Sequence, residues 1–286
     1  MAVRAIRSCR QAGCKVVAVY SEADRNSLHV RSADESVLLG PPPPQSSYLD
    51  DGALIEAAQV SGAHAVLPVH ATLAGSPELA RASLEAGLLW LGADPEALYA
   101  VQQGAWGAEM AVGAQSVGWV VGVADGFRID GLVVRQTRAA GANLCWTSAH
   151  EPSGVDVEGL PSSAQLLASL SEVVLDLGWR GLVSVAFGPD GAPVAIRGGV
   201  PEQLGLVELR AGRDLLLAAL ALAEDVSPPA GVSGFPAAVG CSIRATAVPG
   251  EGWHATITEL SGPGGADVRW EPGYAVGDAL SSWYDP

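Results

Sequence analysis

Val3-Arg4-Ala5-Ile6-Arg7-Ser8-Cys9-Arg10-Gln11-Ala12-Gly13 runs directly into Cys14-Lys15-Val16-Val17-Ala18-Val19-Tyr20, and the fold class is read from that join. Val3, Ile6 and Cys9 recur at helical spacing, which predicts a helix over residues 3–12 with one apolar face. Gly13 supplies the left-handed residue that closes it. Residues 16–20 form a continuous apolar run without alternation, the pattern of a strand buried on both faces of a parallel sheet. The same alternation continues outward. Residues 36–39 read as a strand, and Asp51 can cap a helix through Leu54, Ile55, Ala58 and Val60 that Gly62 stops. Residues 65–69 and 88–91 read as strands. Ser76-Pro77-Glu78 and Asp94-Pro95-Glu96 both open helices, with proline at the first helical position and an acid in the first turn. This βαβ succession predicts a parallel sheet covered by helices.

Beyond residue 95 the character changes. Residues 117–123 and 131–135, around a turn at Asp125-Gly126, read as antiparallel strands. Pro161 opens an amphipathic helix through Leu166, Leu170, Val174 and Leu177. Residues 182–187 and 192–196 flank Gly188-Pro189-Asp190-Gly191 as a hairpin. Residues 214–224 read as a buried Leu/Ala helix, and residues 241–247 and 253–260 as further strands. The expected architecture is a Rossmann-like α/β part over 1–95 followed by an α+β part over 96–286.

The chain has 286 residues, with 16 basic and 31 acidic side chains and a net charge of −15; Lys15 is its only lysine. Such a surface does not suit a nucleic-acid backbone, which needs clustered cations. It also has almost no ammonium groups with which to hold ATP phosphates. No apolar run is long enough to span a bilayer, and the arginines near Met1 interrupt any signal-peptide core. A cytoplasmic protein is expected. Cys9, Cys14, Cys145 and Cys241 form no CxxC pair, so free thiols are expected and a metal motif is not. No dinucleotide fingerprint, P-loop or nucleophile elbow occurs. Residues alone leave an α/β protein of unassigned role.

A resemblance extends this reading. Ala5 to Arg10, Val16 to Ser21, Ala23-Asp24-Arg25, His29-Val30, Ala33-Asp34-Glu35, Ser47-Tyr48-Leu49 and Gly62 to Val66 follow one another as in the N-terminal domain of biotin carboxylase. That is the ATP-grasp subunit of acyl-CoA, acetyl-CoA and pyruvate carboxylases. Ala211-Gly212-Arg213-Asp214-Leu215 and Val268-Arg269-Trp270-Glu271 resemble later parts of the same family. The resemblance implies a reduced ATP-grasp-like second domain, carboxylase partners or a homodimer, and a family chemistry that uses ATP, Mg and biotin.

The departures fall on that chemistry. The family's first strand has no counterpart before residue 4, and the glycine-rich lid would have to fit between Pro95 and Gly107. The family holds magnesium with a glutamate on one strand and a glutamate and an asparagine on the next, because hard cations take carboxylate oxygens. Alignment on the hairpin puts Val185 at the first glutamate and Arg197 on the second strand. The catalytic glutamate falls at Gln203, which is no base near neutral pH. A glycine-tyrosine-glycine run falls at Val69-His70-Ala71, and the bicarbonate segment at Asn143-Leu144-Cys145.

The leading expectation is therefore a biotin-carboxylase-like pseudoenzyme that has lost ATP-dependent carboxylation, needs no cofactor, and serves as a partner-binding subunit. Arg269 is the surviving catalytic candidate, or else a structural residue held with Trp270 and Glu271. Arg4, Arg7 and Arg10 form either a partner-contact stripe or a solvated helix face. The alternatives are a repurposed enzyme whose emptied cleft is lined by His70, Cys145, His150 and Arg269, and a working carboxylase subunit.

Overall fold

In the computed structural model the described residues are 1–104, 118–125, 129–138, 144–149, 161–227, 229–232, 234, 238–243, 254–262, 264–265 and 268–281. Along the chain they form α1 (Ala2–Gln11), β1 (Val17–Ser21), α2 (Leu28–Ser32), β2 (Glu35–Gly40), α3 (Asp51–Val60), β3 (Ala65–Val66), α4 (Ala71–Ala74), α5 (Pro77–Glu85), β4 (Leu89–Trp90), α6 (Pro95–Gln103) and β5 (Gly118–Asp125). Then come β6 (Ile129–Arg138), β7 (Leu144–Ala149), α7 (Ser163–Asp176), β8 (Arg180–Phe187), β9 (Pro193–Arg197), α8 (Leu204–Ala211), α9 (Leu215–Ala223), β10 (Ala238–Ile243), β11 (His254–Thr256) and β12 (Ala279–Ser281). Their contacts divide the chain into two compact units. One holds residues 1–66, 86–88 and 244–286; the other holds 67–85 and 89–243.

In the first unit, α1 ends at Gly13, whose φ of +83° suits glycine. β1 and β2 pair in parallel, with Val17 opposite Glu35 and Tyr20 opposite Leu38. The cap of α3 is Asp50, one residue before the expected one: its carboxylate accepts the Ala53 amide, and Asp51 is already helical. β3 stops at Val66, short of the expected 65–69, since Pro68 has no N–H for a ladder. α1 buries Ala5, Ile6 and Cys9, and also Arg4 and Ser8.

The second unit is built on an antiparallel sheet in the order β10-β7-β6-β5-β8-β9. Its centre is apolar: Val120, Val121, Val183, Val185 and Phe187 are fully enclosed. α7 packs on β5 and β6, α9 on β5 and β8, and α8 across β5, β6, β7 and β10. Ser162, not Pro161, starts α7 through a reciprocal capping box with Gln165. α8 had no periodic signal, because Leu204, Leu206, Val207, Glu208 and Arg210 are all buried and no polar stripe marks an outer face. It ends at Gly212 (φ +65°), where a Cβ would lie 1.9 Å from the Val232 carbonyl oxygen. Asp214 caps α9 by accepting the Leu217 amide. No described helix is long and apolar enough to cross a membrane.

Candidate functional site

Directly paired residues of an antiparallel sheet share a face, and neighbours along a strand alternate. The register of β5, β8 and β9 puts Val120, Val185 and Ile196 in one cross-strand row. Val121, Ser184 and Arg197 form the next row, on the opposite face. The first row is buried hydrocarbon, with Val120 and Val185 at 0 % exposure. The second face carries the polar groups. The Arg197 guanidinium lies 5.3 Å over the Trp119 ring, a cation–π arrangement that fixes its direction.

This register fixes which residues share a face at the hairpin. A metal held between two adjacent strands needs both ligands on one face. The residue facing Arg197 is Ser184, not Val185, so the pair at that position is a hydroxyl and a guanidinium. A guanidinium has five donors and no lone pair to give a cation. Among the described residues no group of three His, Cys, Asp or Glu side chains could hold a metal ion.

Of the acids and amides that follow β9, Glu208 serves the backbone. Gln203 is buried at the N-terminus of α8. Glu208 is buried, and its carboxylate accepts the Leu215 amide at 3.0 Å, joining α8 to the start of α9. Gly198 and Gly199 let the chain from Val69 to Ala74 approach closely: a Cβ on Gly199 would stand 2.9 Å from the Val69 carbonyl oxygen. The Val200 amide donates to that same oxygen at 2.9 Å. His70 is thereby anchored alongside the end of β9. It is exposed, and its Nδ1 accepts the Thr72 amide at 3.2 Å as the cap of α4. In the neutral ring the proton then sits on Nε2, which is left as an outward donor. Cys145 lies on β7, opposite Arg138 and Ser242; its side chain, like all of His150, lies outside the described residues.

The arginine candidates belong to the first unit. Arg269 directs Nε (2.8 Å) and Nη2 (2.7 Å) at Glu271 Oε1. The same oxygen is 3.3 Å from Arg4 Nε and 3.5 Å from Arg7 Nη1. Three guanidinium groups thus converge on one carboxylate. Arg4 also donates to Ser8 Oγ, and its side chain is 8 % exposed. Arg10 pairs instead with Asp34, at 2.5 Å. The Arg10 hydrogen bond, helped by the Val16 amide, holds the Asp34 carboxyl down at about 2. Helical spacing put Arg4, Arg7 and Arg10 on one stripe; the tertiary structure turns Arg4 inward, ties Arg10 to Asp34, and leaves Arg7 the most exposed of the three. Glu271 was missed as the hub, although its place two residues after Arg269 was a visible signal.

Known proteins agree with the resemblance. Residues 1–98 match the family Biotin carboxylase, N-terminal domain. Over 98 residues the chain is 45% identical to the mitochondrial methylcrotonoyl-CoA carboxylase subunit alpha of Oryza sativa subsp. japonica, a match covering 34% of this chain and 13% of that protein. It is 43% identical over 98 residues to the biotin carboxylase of Halalkalibacterium halodurans, covering 34% of this chain and 22% of that one. The chain therefore matches less than a quarter of the length of these relatives. Among solved structures, the biotin carboxylase domain of a single-chain bacterial carboxylase superposes with a TM-score of 0.76 at 21% identity, over 99% of this chain and 80% of that one. A Rhizobium etli pyruvate carboxylase superposes with a TM-score of 0.74 at 19% identity, over 100% of this chain and 30% of that one. The chain resembles biotin carboxylase in sequence over its first third, and in fold throughout.

Proposed function

We propose that this chain is a biotin-carboxylase-like subunit without carboxylation chemistry, a pseudoenzyme that works in the cytoplasm by binding partners. On this reading residues 1–95 are the biotin-carboxylase N-terminal-like part and residues 96–286 a reduced ATP-grasp-like part lacking the lid. Neither ATP, Mg nor biotin is used. The observation that supports the reading is that Arg197, on the strand where the resemblance implies magnesium ligands, is a guanidinium paired across the sheet with Ser184 and not with a carboxylate. Phosphoryl transfer depends on metal and cationic stabilisation of the transferred group, and loss of one such donor costs about 10²–10³ in rate. Gln203 in place of a carboxylate base adds to the loss.

The partners proposed are carboxylase subunits or a second copy of this chain, met through the α1 surface that includes Arg7. Calorimetry with MgATP, together with a free-biotin carboxylation assay, tests the loss of chemistry. Neither heat of binding nor carboxybiotin is expected, and either would overturn it. Affinity capture from the native host should recover carboxylase subunits. The repurposed-enzyme reading draws on one specific observation, the His70 Nε2 donor anchored beside β9. A nucleophile within reach of that nitrogen, found by alkylation of Cys145 that His70→Ala slows, would favour it.

A further inference from the structure

An apolar cavity of about 190 Å³ opens in the second unit between the ends of β4 and β8 and the side of α9. Leu84, Leu89, Trp90, Leu182, Leu216 and Leu220 are among its walls. Trp90 contributes hydrocarbon only, since its indole N–H is spent on the Ala93 carbonyl at 3.0 Å. An engineered apolar cavity of about 150 Å³ accepts benzene, so a phenyl or branched alkyl group fits this one.

The polar residues at the cavity are Asp94, Arg180 and Asp225. Arg180 and Asp225 form a 3.4 Å pair and neutralise each other. Asp94 is left as an uncompensated negative charge: no described ion pair or side-chain hydrogen bond engages it. It stands at the N-cap of α6, where an aspartate ordinarily accepts a backbone amide, yet it makes no side-chain cap bond. That omission forgoes about 1 kcal/mol of helix stabilisation. Asp225 is also oddly placed. It is the one described non-glycine residue with positive φ, at 54°, just past the end of α9, where glycine is the ordinary choice.

From the apolar walls and the net charge of −1 at the rim, we infer that this cavity binds a small monoamine, its aryl or branched alkyl body among the leucines and its ammonium on Asp94. The chain's overall charge of −15 draws cations to the same mouth and repels carboxylates. The site is independent of whether carboxylation has been lost.

The test uses the full chain with three probes of one body and different heads: 2-phenylethylamine, 2-phenylethanol and 3-phenylpropionate. Binding is read by calorimetry and ligand-observed NMR. The amine should bind saturably, about tenfold more tightly than the alcohol, and the carboxylate more weakly still. Asp94→Asn should bring amine and alcohol to equal affinity without lowering the melting temperature, because no cap bond is lost. Ala219→Phe, which fills the cavity from α9, should abolish binding of both. The inference is overturned if the alcohol or the carboxylate binds as tightly as the amine, if none binds, or if Asp94→Asn leaves amine affinity unchanged.

Discussion

Glu271→Gln removes one carboxylate to which Arg4, Arg7 and Arg269 all point, and its cost can be worked from the geometry. The Arg7 side chain is 55% exposed and 3.5 Å away; such a surface pair contributes about 0–1 kcal/mol. The other two are more enclosed. Arg4 is 8% exposed at 3.3 Å, and Arg269 is 25% exposed at 2.7 Å. Breaking a buried pair by removing one partner costs about 3–5 kcal/mol, because the remaining charge stays desolvated. Glu271 itself is 29% exposed, and water softens that penalty, so the expected loss is ~2–4 kcal/mol. The assay is urea unfolding, with hydrogen exchange followed over residues 2–11 so that the first unit is read by itself. Glu271→Gln should raise exchange across α1, whereas Arg7→Gln should change it little. Adding Arg4→Met to Glu271→Gln replaces a buried guanidinium that has lost the Glu271 carboxylate with hydrocarbon and should recover part of the loss. A Glu271→Gln loss below about 0.5 kcal/mol, or a double variant no more stable than the single one, would refute a charge-hub role for Glu271.

Three further outcomes follow from other parts of the molecule. Val185→Glu sets a carboxylate among Val120 and Ile196 and should cost several kcal/mol, ~3 or more. Ser184→Glu faces Arg197 and should cost at least ~2 kcal/mol less; equal losses in chemical denaturation would overturn the face assignment. Asp34 titrates in the folded chain at about 2, below its ordinary 3.8. Its stabilisation is therefore full above pH 4 and lost as pH falls from 4 towards 2, and carboxyl-carbon NMR of Arg10→Gln should show the titration moving back up. Asp225→Gly relieves a left-handed aspartate, worth ~1 kcal/mol, and gives up an exposed pair worth less. A small rise in melting temperature is expected, and a fall would mean that the Arg180 pair dominates.

Much of the fold was legible because it is set by neighbours in sequence. The glycine after α1, Pro77 and Pro95 at helix starts, the apolar run of β1 and the Pro189-Asp190-Gly191 turn each act within a few residues. The errors were also local in origin: Asp50 and Asp51 are both competent caps, and backbone direction chooses between them. β3 ended early because Pro68 cannot join a ladder. α8 and β7 went unread since one is buried on most sides and the other lies in a stretch without clear alternation.

The site was less legible. The sequence by itself determined that Val185, Arg197 and Gln203 are not carboxylates, since residue types do not depend on geometry. It could not tell whether Ser184 or Val185 faces Arg197, because a one-residue change of register exchanges the two faces of a strand. Nor could it tell that Arg4 turns inward while Arg7 does not, for the cause is Glu271, 267 positions away in the chain. Composition and local pattern therefore decided which elements form and which residue types each strand and helix carries. Cross-strand register and long-range charge pairing, which exist only once distant segments meet, decided which side chains share a face and which are buried.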